Sequence, residues 1–385
     1  MTYQVLYRTY RPNNFKSVVG QDVIVKTLKN AIKNNKIAHA YLFCGPRGTG
    51  KTSIAKLFAK AINCEHYDDE ACENCANCKA IANNNHPDII ELDAASNNGV
   101  DEIREIIEKA QFAPVLGKYK VYIIDEVHML TKQAFNALLK TLEEPPKHVV
   151  FILATTDPEK IIPTVLSRCQ RYNFSKVSSV NMMARIEDIL KNENIEYEKE
   201  AVLALVKLAD GGMRDALSML EQCLAYDEKL SYDVVRMVYG LATSEEKINI
   251  IKLFHDEDSS KVIDKLEKMD RDGIDIKRLC IDIIDILKEA VVYHYQKNAG
   301  EMKLEYITSA DAQELNYYMT TDIMLDDIDC LVEVINRQRQ SQTSLFYLEL
   351  AVLKMTKLHK ETKEEIPSKV IEEAIVKEEI IPEED

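Results

Sequence analysis

The sequence lacks the features that mark several large classes of protein. It has no run of eighteen or more apolar residues, which excludes an apolar transmembrane helix. Its first residues, Met1 to Gln4, do not have the form of a signal peptide. It also has no tandem repeat, which argues against a solenoid. We therefore expect a cytoplasmic globular protein of two or three domains with no membrane partner.

The chain has fewer basic residues than acidic ones. The chain has 49 Lys and Arg against 64 Asp and Glu, a net charge of −15 over 385 residues. Such a balance argues against a protein that coats nucleic acid over its whole surface, although it leaves room for a local basic groove. Residues 361–385 carry ten acids and three bases, so much of the excess lies there. We interpret this segment as a flexible acidic tail.

The nine cysteines are odd in number, and the expected compartment is reducing, so they do not indicate a disulfide framework. Four of them, Cys64, Cys72, Cys75 and Cys78, form the pattern C-x7-C-x2-C-x2-C. Thiolates at this spacing can converge on one tetrahedral Zn²⁺. Four protein ligands leave no open position, so we predict a structural zinc module over 64–78. An iron–sulfur cluster or free thiols are the alternatives.

The neighbouring histidines and the remaining cysteines are not expected to bind the metal. His66 and His86 lie nearby in sequence, but four thiolates already complete a tetrahedral shell, so we expect both histidines at the surface. The other five cysteines are scattered and are expected mostly to be small core residues. They are Cys44, Cys169, Cys223, Cys280 and Cys330.

The most informative segment is GPRGTGKT, which fits the phosphate-binding pattern G-x-x-x-x-G-K-[ST]. Its residues are Gly45, Pro46, Arg47, Gly48, Thr49, Gly50, Lys51 and Thr52. The glycines let backbone N–H groups point at a triphosphate, while Lys51 would contact its β- and γ-phosphates and Thr52 would bind Mg²⁺. An apolar run precedes the loop and a helical pattern follows it, which favours a nucleotide site over a chance Gly-rich turn.

Apolar strands alternate with helical segments through the first part of the chain. The predicted strands are 41–44, 87–93, 120–125, 149–154 and 169–174, with helices at 99–111 and 131–143. This alternation predicts a parallel sheet covered on both faces, in an α/β domain over 1–175.

The remainder of the chain is helical in pattern. Helices are predicted at 180–193, 199–210, 213–225 and 231–240, with a break at Gly211-Gly212. We expect a helical lid domain over 176–240, an all-α domain over 241–360 and the acidic tail over 361–385.

The third strand ends in Asp125-Glu126, the arrangement of a Walker B motif. Asp125 would hold Mg²⁺, mostly through water, and Glu126 would orient and deprotonate the attacking water. An ordinary acidic turn at a strand end is the alternative. The second strand follows the phosphate loop and precedes Asp125 in sequence, so we expect it to lie between the strands of the two motifs in space.

Three further polar residues follow in the chain. A hydroxyl after the fourth strand, in Thr155-Thr156, could hydrogen-bond the γ-phosphate or the water. Arg168 has a guanidinium group that suits a phosphate, although a surface salt bridge is the alternative. Arg214 begins a helix of the lid domain, from where it could reach the nucleotide and couple its phosphates to the angle between domains.

Together these motifs resemble the AAA+ clamp-loader ATPases of bacterial replication. The resemblance rests on GPRGTGKT, the four-cysteine pattern, IIDEVHML, LLKTLEEPP, LATTDPEKI, SRCQRY and GGMRDAL. It is specific over about residues 1–240 and extends by helical character to about 360. The opening LYRTYRP with VVGQ is similar to the family segment that packs against adenine, which implicates Tyr7, Arg11 and Val19.

The resemblance implies a role for each of these residues. Lys51 and Thr52 would be the Walker A ligands, Asp125 and Glu126 the Walker B pair, Thr156 sensor 1, Arg214 sensor 2, and Arg168 an arginine finger acting in trans. The cofactors would be ATP, Mg²⁺ and a structural Zn²⁺. Residues 241–360 would form a collar that holds a hetero-pentameric ring of loader subunits, including further copies of this chain. Its other partners would be the sliding clamp and primed template DNA.

Two other functions are compatible with part of the sequence. The tetrapeptide Asp125 to His128 matches that of DExH helicases, but these need a second α/β motor lobe where residues 241–360 predict only helices. A non-hydrolysing scaffold of the same fold is the other alternative, and the presence of both Lys51 and Glu126 argues against it.

Overall fold

A computed structural model describes residues 5–83, 85–255, 259–296, 304, 306–338 and 345–356. The chain divides into two compact units, Met1–Val235 and Arg236–Asp385. The expected acidic tail at 361–385 lies outside the described residues.

Unit one is built on a five-stranded sheet in which every pairing is parallel. Its strands are β1 (Ala40–Cys44), β2 (Ile89–Asp93), β3 (Lys120–Asp125), β4 (Val149–Thr155) and β5 (Gln170–Asn173). All residues of β1 and β4 are buried, which near-continuous apolar strands require when helices cover both faces. The predicted parallel α/β sheet is confirmed, and each strand lies within two residues of its predicted bounds.

The expected position of the second strand is wrong. The order across the sheet is β2-β3-β4-β1-β5, so β2 is an edge strand and β4 separates the strands of the two motifs. Burial explains the arrangement, because β2 has the sequence IIELD and no fully buried residue, whereas β4 is apolar and buried throughout. As a result, the residues that follow β4 lie between the phosphate loop and Asp125.

Helices cover both faces of this sheet. Those of unit one are α1 (Leu6–Thr9), α2 (Asp22–Lys33), α3 (Lys51–Ile62), α4 (Ala76–Ala82), α5 (Val100–Ala110), α6 (Lys132–Glu143), α7 (Pro163–Leu166), α8 (Ser179–Asn192), α9 (Lys199–Ala209), α10 (Met213–Tyr226) and α11 (Tyr232–Tyr239), the last of which continues into unit two. Alternate residues of β1 face opposite sides: Tyr41 and Phe43 pack with α2 and α3, while Leu42 and Cys44 pack with α5 and α6. The lid helices α8 to α11 begin and end within one residue of their predicted bounds.

The described part of unit two is all-α, as predicted. Its helices are α12 (Ser244–His255), α13 (Ser259–Arg271), α14 (Ile276–Tyr295), α15 (Ser309–Tyr318), α16 (Thr321–Gln338) and α17 (345–356). They share one apolar core, to which α14 contributes more buried residues than any other helix. None of the helices in the described ranges is long and apolar enough to cross a membrane.

Asp88 is a fully buried carboxylate just before β2. Its two oxygens accept hydrogen bonds from the backbone N–H groups of Val115 (2.8 Å), Leu116 (2.7 Å) and Gly117 (2.8 Å). Burial acts to raise the pKa of Asp88, but these three donors favour the charged form and leave the pKa below its usual value. Asp88 therefore fixes the loop between α5 and β3.

We expect Asp88→Asn to destabilise unit one by about 2 kcal/mol. The NH₂ group of the asparagine would face a backbone N–H group and could not accept its hydrogen bond. Amide hydrogen exchange of β3 should accelerate about 30-fold at neutral pH. Since the folded-state pKa lies below the unfolded-state value of about 3.9, the carboxylate contributes fully above that pH and its contribution is lost as the pH falls. The difference between the two proteins should therefore shrink in acid.

The matched control for this change is Asp101→Asn, whose side chain is 87% exposed in a helical i,i+3 pair with Arg104. It should change the exchange of β3 by less than about twofold. Equal exchange in the Asp88 variant and in this control would contradict the role given to Asp88.

Candidate active site and metal centre

The phosphate loop joins β1 to α3. Gly48 and Gly50 have φ angles of +76° and +97°, which side chains rarely adopt, and Gly50 is the N-cap of α3. The first N–H groups of a helix have no intrahelical partner, so the end of α3 is suited to an anion. The loop therefore has the backbone geometry that phosphate binding needs.

Lys51 is 6% exposed and reaches back across the loop. Its Nζ donates to the carbonyl oxygens of Gly45 and Pro46, both at 2.8 Å. Burial lowers the pKa of Lys51, while the nearby carboxylates of Glu126 and Asp125 oppose that effect. The ammonium group thus lies inside the loop, where a phosphate would need a cation.

Thr52 and Asp125 bring two oxygens together beside the loop. The hydroxyl of Thr52 donates to Oδ2 of Asp125 at 2.6 Å, from the first turn of α3 to the end of β3. Mg²⁺ prefers oxygen ligands and is commonly held by one or two protein groups plus phosphates and water. The donor set therefore fits Mg²⁺.

Glu126 follows Asp125 in a left-handed backbone conformation, with φ 46° and ψ 45°. Its Oε2 accepts hydrogen bonds from the backbone N–H (3.2 Å) and the hydroxyl (2.8 Å) of Thr156. His128 Nδ1 lies 3.4 Å from the same oxygen and 3.0 Å from the Thr155 hydroxyl. Sequence analysis predicted a contact of Thr156 with phosphate or water, whereas in the structure its hydroxyl holds Glu126.

The start of the lid lies against the phosphate loop. A Cβ added to Gly48 would be 2.9 Å from the Cα of Gly212, so two glycine backbones meet here. Arg47 and Asp215 form a long ion pair of 3.8 Å across the same junction. The contact between Gly48 and Gly212 therefore holds Arg214, two residues further along, near the phosphate loop.

The N-terminal residues meet Arg214 on this side. The Arg214 guanidinium lies 5.1 Å from the centre of the Tyr7 ring, within cation–π range. Arg11 Nε donates to the hydroxyl of Ser53 on α3 at 3.1 Å. Burial lowers the pKa of Arg11, and the charge of Arg214 acts in the same direction, while the carboxylates of Glu91 and Asp125 oppose both effects. Arg11 and Arg214 thus bring two guanidinium groups, which suit phosphate, to this side of unit one.

The loop before α2 contains one residue that sequence analysis missed. Gln21 is 4% exposed, and its amide donates to the carbonyl oxygens of Ser175 (2.8 Å) and Thr49 (3.4 Å). It therefore links the phosphate loop to the chain that enters the lid. The half-buried Val19 lies two residues earlier. Gln21 ends the VVGQ segment of the sequence, but its burial and its two carbonyl partners are tertiary contacts that only the structure identifies.

Arg168 does not join this group within the chain. Its guanidinium donates to the carbonyl oxygen of Thr164 (2.6 Å) and forms an ion pair with Glu143 on α6. Its side chain is 30% exposed. The structure thus places Arg168 at the end of α7, where its hydrogen bonds go to α6 and α7.

The four cysteines do converge. Their Sγ atoms all lie within 4.8 Å of one another, and a zinc tetrahedron with bonds of about 2.3 Å needs sulfurs about 3.8 Å apart. Backbone N–H groups of Cys72, Cys75 and Cys78 donate to the sulfurs of Cys64, Cys72 and Cys75 at 3.2 to 3.4 Å. The N–H of Cys75, followed by that of Asn74, lowers the pKa of Cys72 to about 6. Burial raises the pKa of Cys64 and Cys78, so metal binding would have to displace the protons of these two thiols. Four converging cysteine sulfurs fit Zn²⁺.

The expectation that both nearby histidines lie at the surface holds only for His66, which is exposed. His86 is 7% exposed, accepts from the N–H of Asp88 at Nδ1 (3.2 Å) and contacts Asn77 Oδ1 at 2.8 Å. Burial lowers the pKa of His86, which favours the neutral ring, and its two contacts join α4 to the residue before β2. Of the scattered cysteines, Cys44, Cys223 and Cys280 are buried while Cys169 and Cys330 are half-buried.

Two family models match this chain. Residues 20–178 match the family model described as DNA polymerase III, delta subunit. Residues 181–229 match the DNA polymerase III clamp loader subunit, ATPase lid domain.

Individual relatives are similar over most of the chain. DNA polymerase III subunit tau of Bacillus subtilis is 42% identical over 95% of this chain and 66% of its own length. The Escherichia coli subunit tau is 40% identical over 74% of this chain and 45% of its own length. DNA polymerase III subunit gamma of Buchnera aphidicola subsp. Schizaphis graminum is 39% identical over 77% of this chain and 83% of its own length. The chain spans between about half and two thirds of the tau proteins it matches, and it belongs to the gamma/tau family of DNA polymerase III clamp-loader subunits.

Proposed function

We propose that this chain is the ATP-hydrolysing motor subunit of a cytoplasmic clamp loader, which opens a sliding clamp and loads it onto primed template DNA during replication. One observation carries the proposal: Lys51, Thr52, Asp125 and Glu126 converge on one phosphate loop in a chain of this family. All four are the groups that ATP hydrolysis needs, which favours a motor over a non-hydrolysing scaffold.

Nucleotide binding would exchange protein contacts for phosphate contacts. Lys51 would release the carbonyl oxygens of Gly45 and Pro46 and donate to the β- and γ-phosphates instead. Thr52 and Asp125 would hold Mg²⁺, which supplies positive charge to the phosphate oxygens when bound. Tyr7, Arg11 and Val19 would contact the adenine side of the nucleotide, and Arg214 would reach its phosphates from the lid.

Glu126 would orient the attacking water and accept its proton. In the present structure its Oε2 is held by Thr156, so the carboxylate has a defined resting position beside Asp125. To act on a water at the γ-phosphate, Glu126 would turn from this position, and Thr156 would then be available to the phosphate. The predicted contact of Thr156 with phosphate and its observed contact with Glu126 would thus belong to the nucleotide-bound and nucleotide-free states of the site.

Arg168 would complete the site of a neighbouring subunit. It lies at a partly exposed position and is paired with Glu143, which is itself 49% exposed. Such a pair contributes at most about 1 kcal/mol, so a phosphate of another chain could replace the carboxylate at small cost. The arrangement supports an arginine finger acting in trans within a ring.

Unit two offers an apolar surface for other loader subunits. Large apolar side chains that are 40 to 53% exposed lie on α16 and α17, and an ion pair between Glu333 and Lys354 (3.1 Å) links these helices. The residues concerned are Leu325, Val332, Phe346, Leu350 and Leu353. Their i, i+4 and i, i+7 spacings put them on common helix faces, which supports the proposed collar of a hetero-pentameric ring that includes further copies of this chain.

We expect ATP turnover by the assembled complex to rise when clamp and primed DNA are added, and Glu126→Gln to abolish most of it. Removal of a general base costs about 10²- to 10⁴-fold in turnover, while ATP affinity should stay within a few-fold of wild type. A steady-state ATPase assay and a nucleotide titration measure the two quantities.

Glu108→Gln, on the exposed face of α5, is the matched control and should leave both quantities unchanged. Absence of stimulation by clamp and primed DNA would contradict the clamp-loading function. Unchanged turnover in Lys51→Ala would instead identify the chain as a scaffold.

For Arg168→Ala we expect nucleotide affinity of the isolated chain to be retained and turnover of the assembled ring to fall about 10³-fold, because a finger acts on the transition state. Arg171→Ala is the control, since Arg171 is an exposed arginine on the neighbouring β5. Parallel loss of binding and turnover in the isolated chain would show that Arg168 does not act in trans.

A further inference from the structure

The N-terminal segment, residues 5–17, runs from the lid to the phosphate-loop helix. At the lid, Tyr7 lies under Arg214, and the hydroxyl of Tyr10 donates to Glu193 at the end of α8. Further along, Arg11 is hydrogen-bonded to Ser53 on α3. The segment therefore touches both parts of unit one that surround the proposed nucleotide.

The far end of this segment is held by the cysteine module. The backbone N–H of Phe15 donates to Oε2 of Glu70 at 2.9 Å, and the Phe15 ring is 3% exposed. The buried Lys60 of α3 donates to the carbonyl oxygen of Asn13 (3.3 Å) and to Oε1 of Glu73 (2.7 Å). Glu70 and Glu73 belong to residues 68–73, which we name the acidic loop.

The acidic loop is docked on helices of the nucleotide-binding fold. Lys29 of α2 pairs with Asp69 (3.0 Å) and with Glu70 (2.7 Å), and Lys33 pairs with Asp69 (2.9 Å). The side chains of Lys29 and Glu70 are only 14% and 16% exposed, so this pair is shielded from water. The loop thus has one set of partners on α2 and another on the N-terminal segment.

The conformation of the acidic loop depends on its ends. Asp69 and Glu73 both have φ +62°, a left-handed conformation that costs free energy for residues with a side chain. Cys64 precedes the loop, Cys72 lies within it and Cys75 follows it, and the sulfurs of these three cysteines converge with that of Cys78. A metal held by these sulfurs would close the loop and keep it in the strained conformation that presents Glu70 and Glu73.

We propose that metal binding by the four cysteines strengthens ATP binding, through Glu70 as a positioning residue that anchors the N-terminal segment over α3. This rests on the proposed nucleotide site. Without the metal the acidic loop relaxes, Phe15 loses its anchor, and Tyr7 and Arg11 occupy their positions in only a fraction of molecules. Apparent affinity then falls by that fraction. The cysteine cluster is therefore a regulatory element of the site as well as a structural one.

The full-length chain, loaded with Zn²⁺, tests this coupling with a fluorescent ATP analogue. Removal of the metal by a chelator should raise the Kd for the analogue about tenfold, and added Zn²⁺ should restore it. Hydrogen exchange of residues 5–17 should accelerate in the metal-free chain, while that of β1 and β4 should change little. These readouts do not depend on catalytic turnover.

Glu70→Ala separates the coupling from loss of the fold. It leaves the four cysteines intact, so it should retain one Zn²⁺ per chain and yet raise the Kd and the exchange of residues 5–17 as metal removal does. Asp68→Ala is the control, because Asp68 is an exposed carboxylate of the same loop and should behave as wild type.

The outcomes distinguish the two proposals. Failure of the zinc-loaded wild type to bind the analogue would overturn the nucleotide site itself. Binding that is equal in zinc-loaded wild type and zinc-loaded Glu70→Ala would overturn the coupling, even if the metal-free chain unfolds.

Discussion

The parallel pairing of β4 between β1 and β3 is the constraint on which the site depends. Cys44 is paired with Thr155 and Ile124 with Leu153, so the carboxyl ends of the three strands are level. The phosphate loop, Asp125, Thr155 at the end of β4 and Thr156 after it therefore meet at one edge. Since all seven residues of β4 are buried, any change that moves this strand would displace all of these groups together.

Unit one surrounds the phosphate loop with elements that are distant in sequence. The glycine contact between Gly48 and Gly212 brings in the lid, and Gln21 joins the loop to the chain that enters it. The N-terminal segment closes a third side and is anchored by the cysteine module through Glu70. A nucleotide bound here would contact the phosphate loop, the start of the lid and the N-terminal segment, which is the arrangement that a conformational switch needs.

Much of this could be predicted from one sequence, because local patterns determine strands, helix caps and the phosphate loop. The helix predicted at 131–143, for example, is α6, whose N-cap Thr131 accepts a hydrogen bond from the N–H of Ala134 at 3.2 Å. The order of the strands in the sheet and the tertiary contacts of individual side chains were harder to predict from the sequence. Sequence order suggested that β2 separates the two motifs, whereas complete burial of β4 puts that strand there. The burial of His86 and the hold of Thr156 on Glu126 likewise depend on tertiary contacts that no local pattern encodes.

The central claim is that one chain supplies the phosphate loop and another supplies the arginine, so each nucleotide site is shared. Turnover by rings assembled from a mixture of Lys51→Ala and Arg168→Ala chains tests it most directly. The account predicts that rings with either variant alone are inactive and that mixed rings recover part of the wild-type turnover, because some interfaces then pair an intact loop with an intact arginine. No recovery in mixed rings, or full turnover in rings of Arg168→Ala alone, would contradict it.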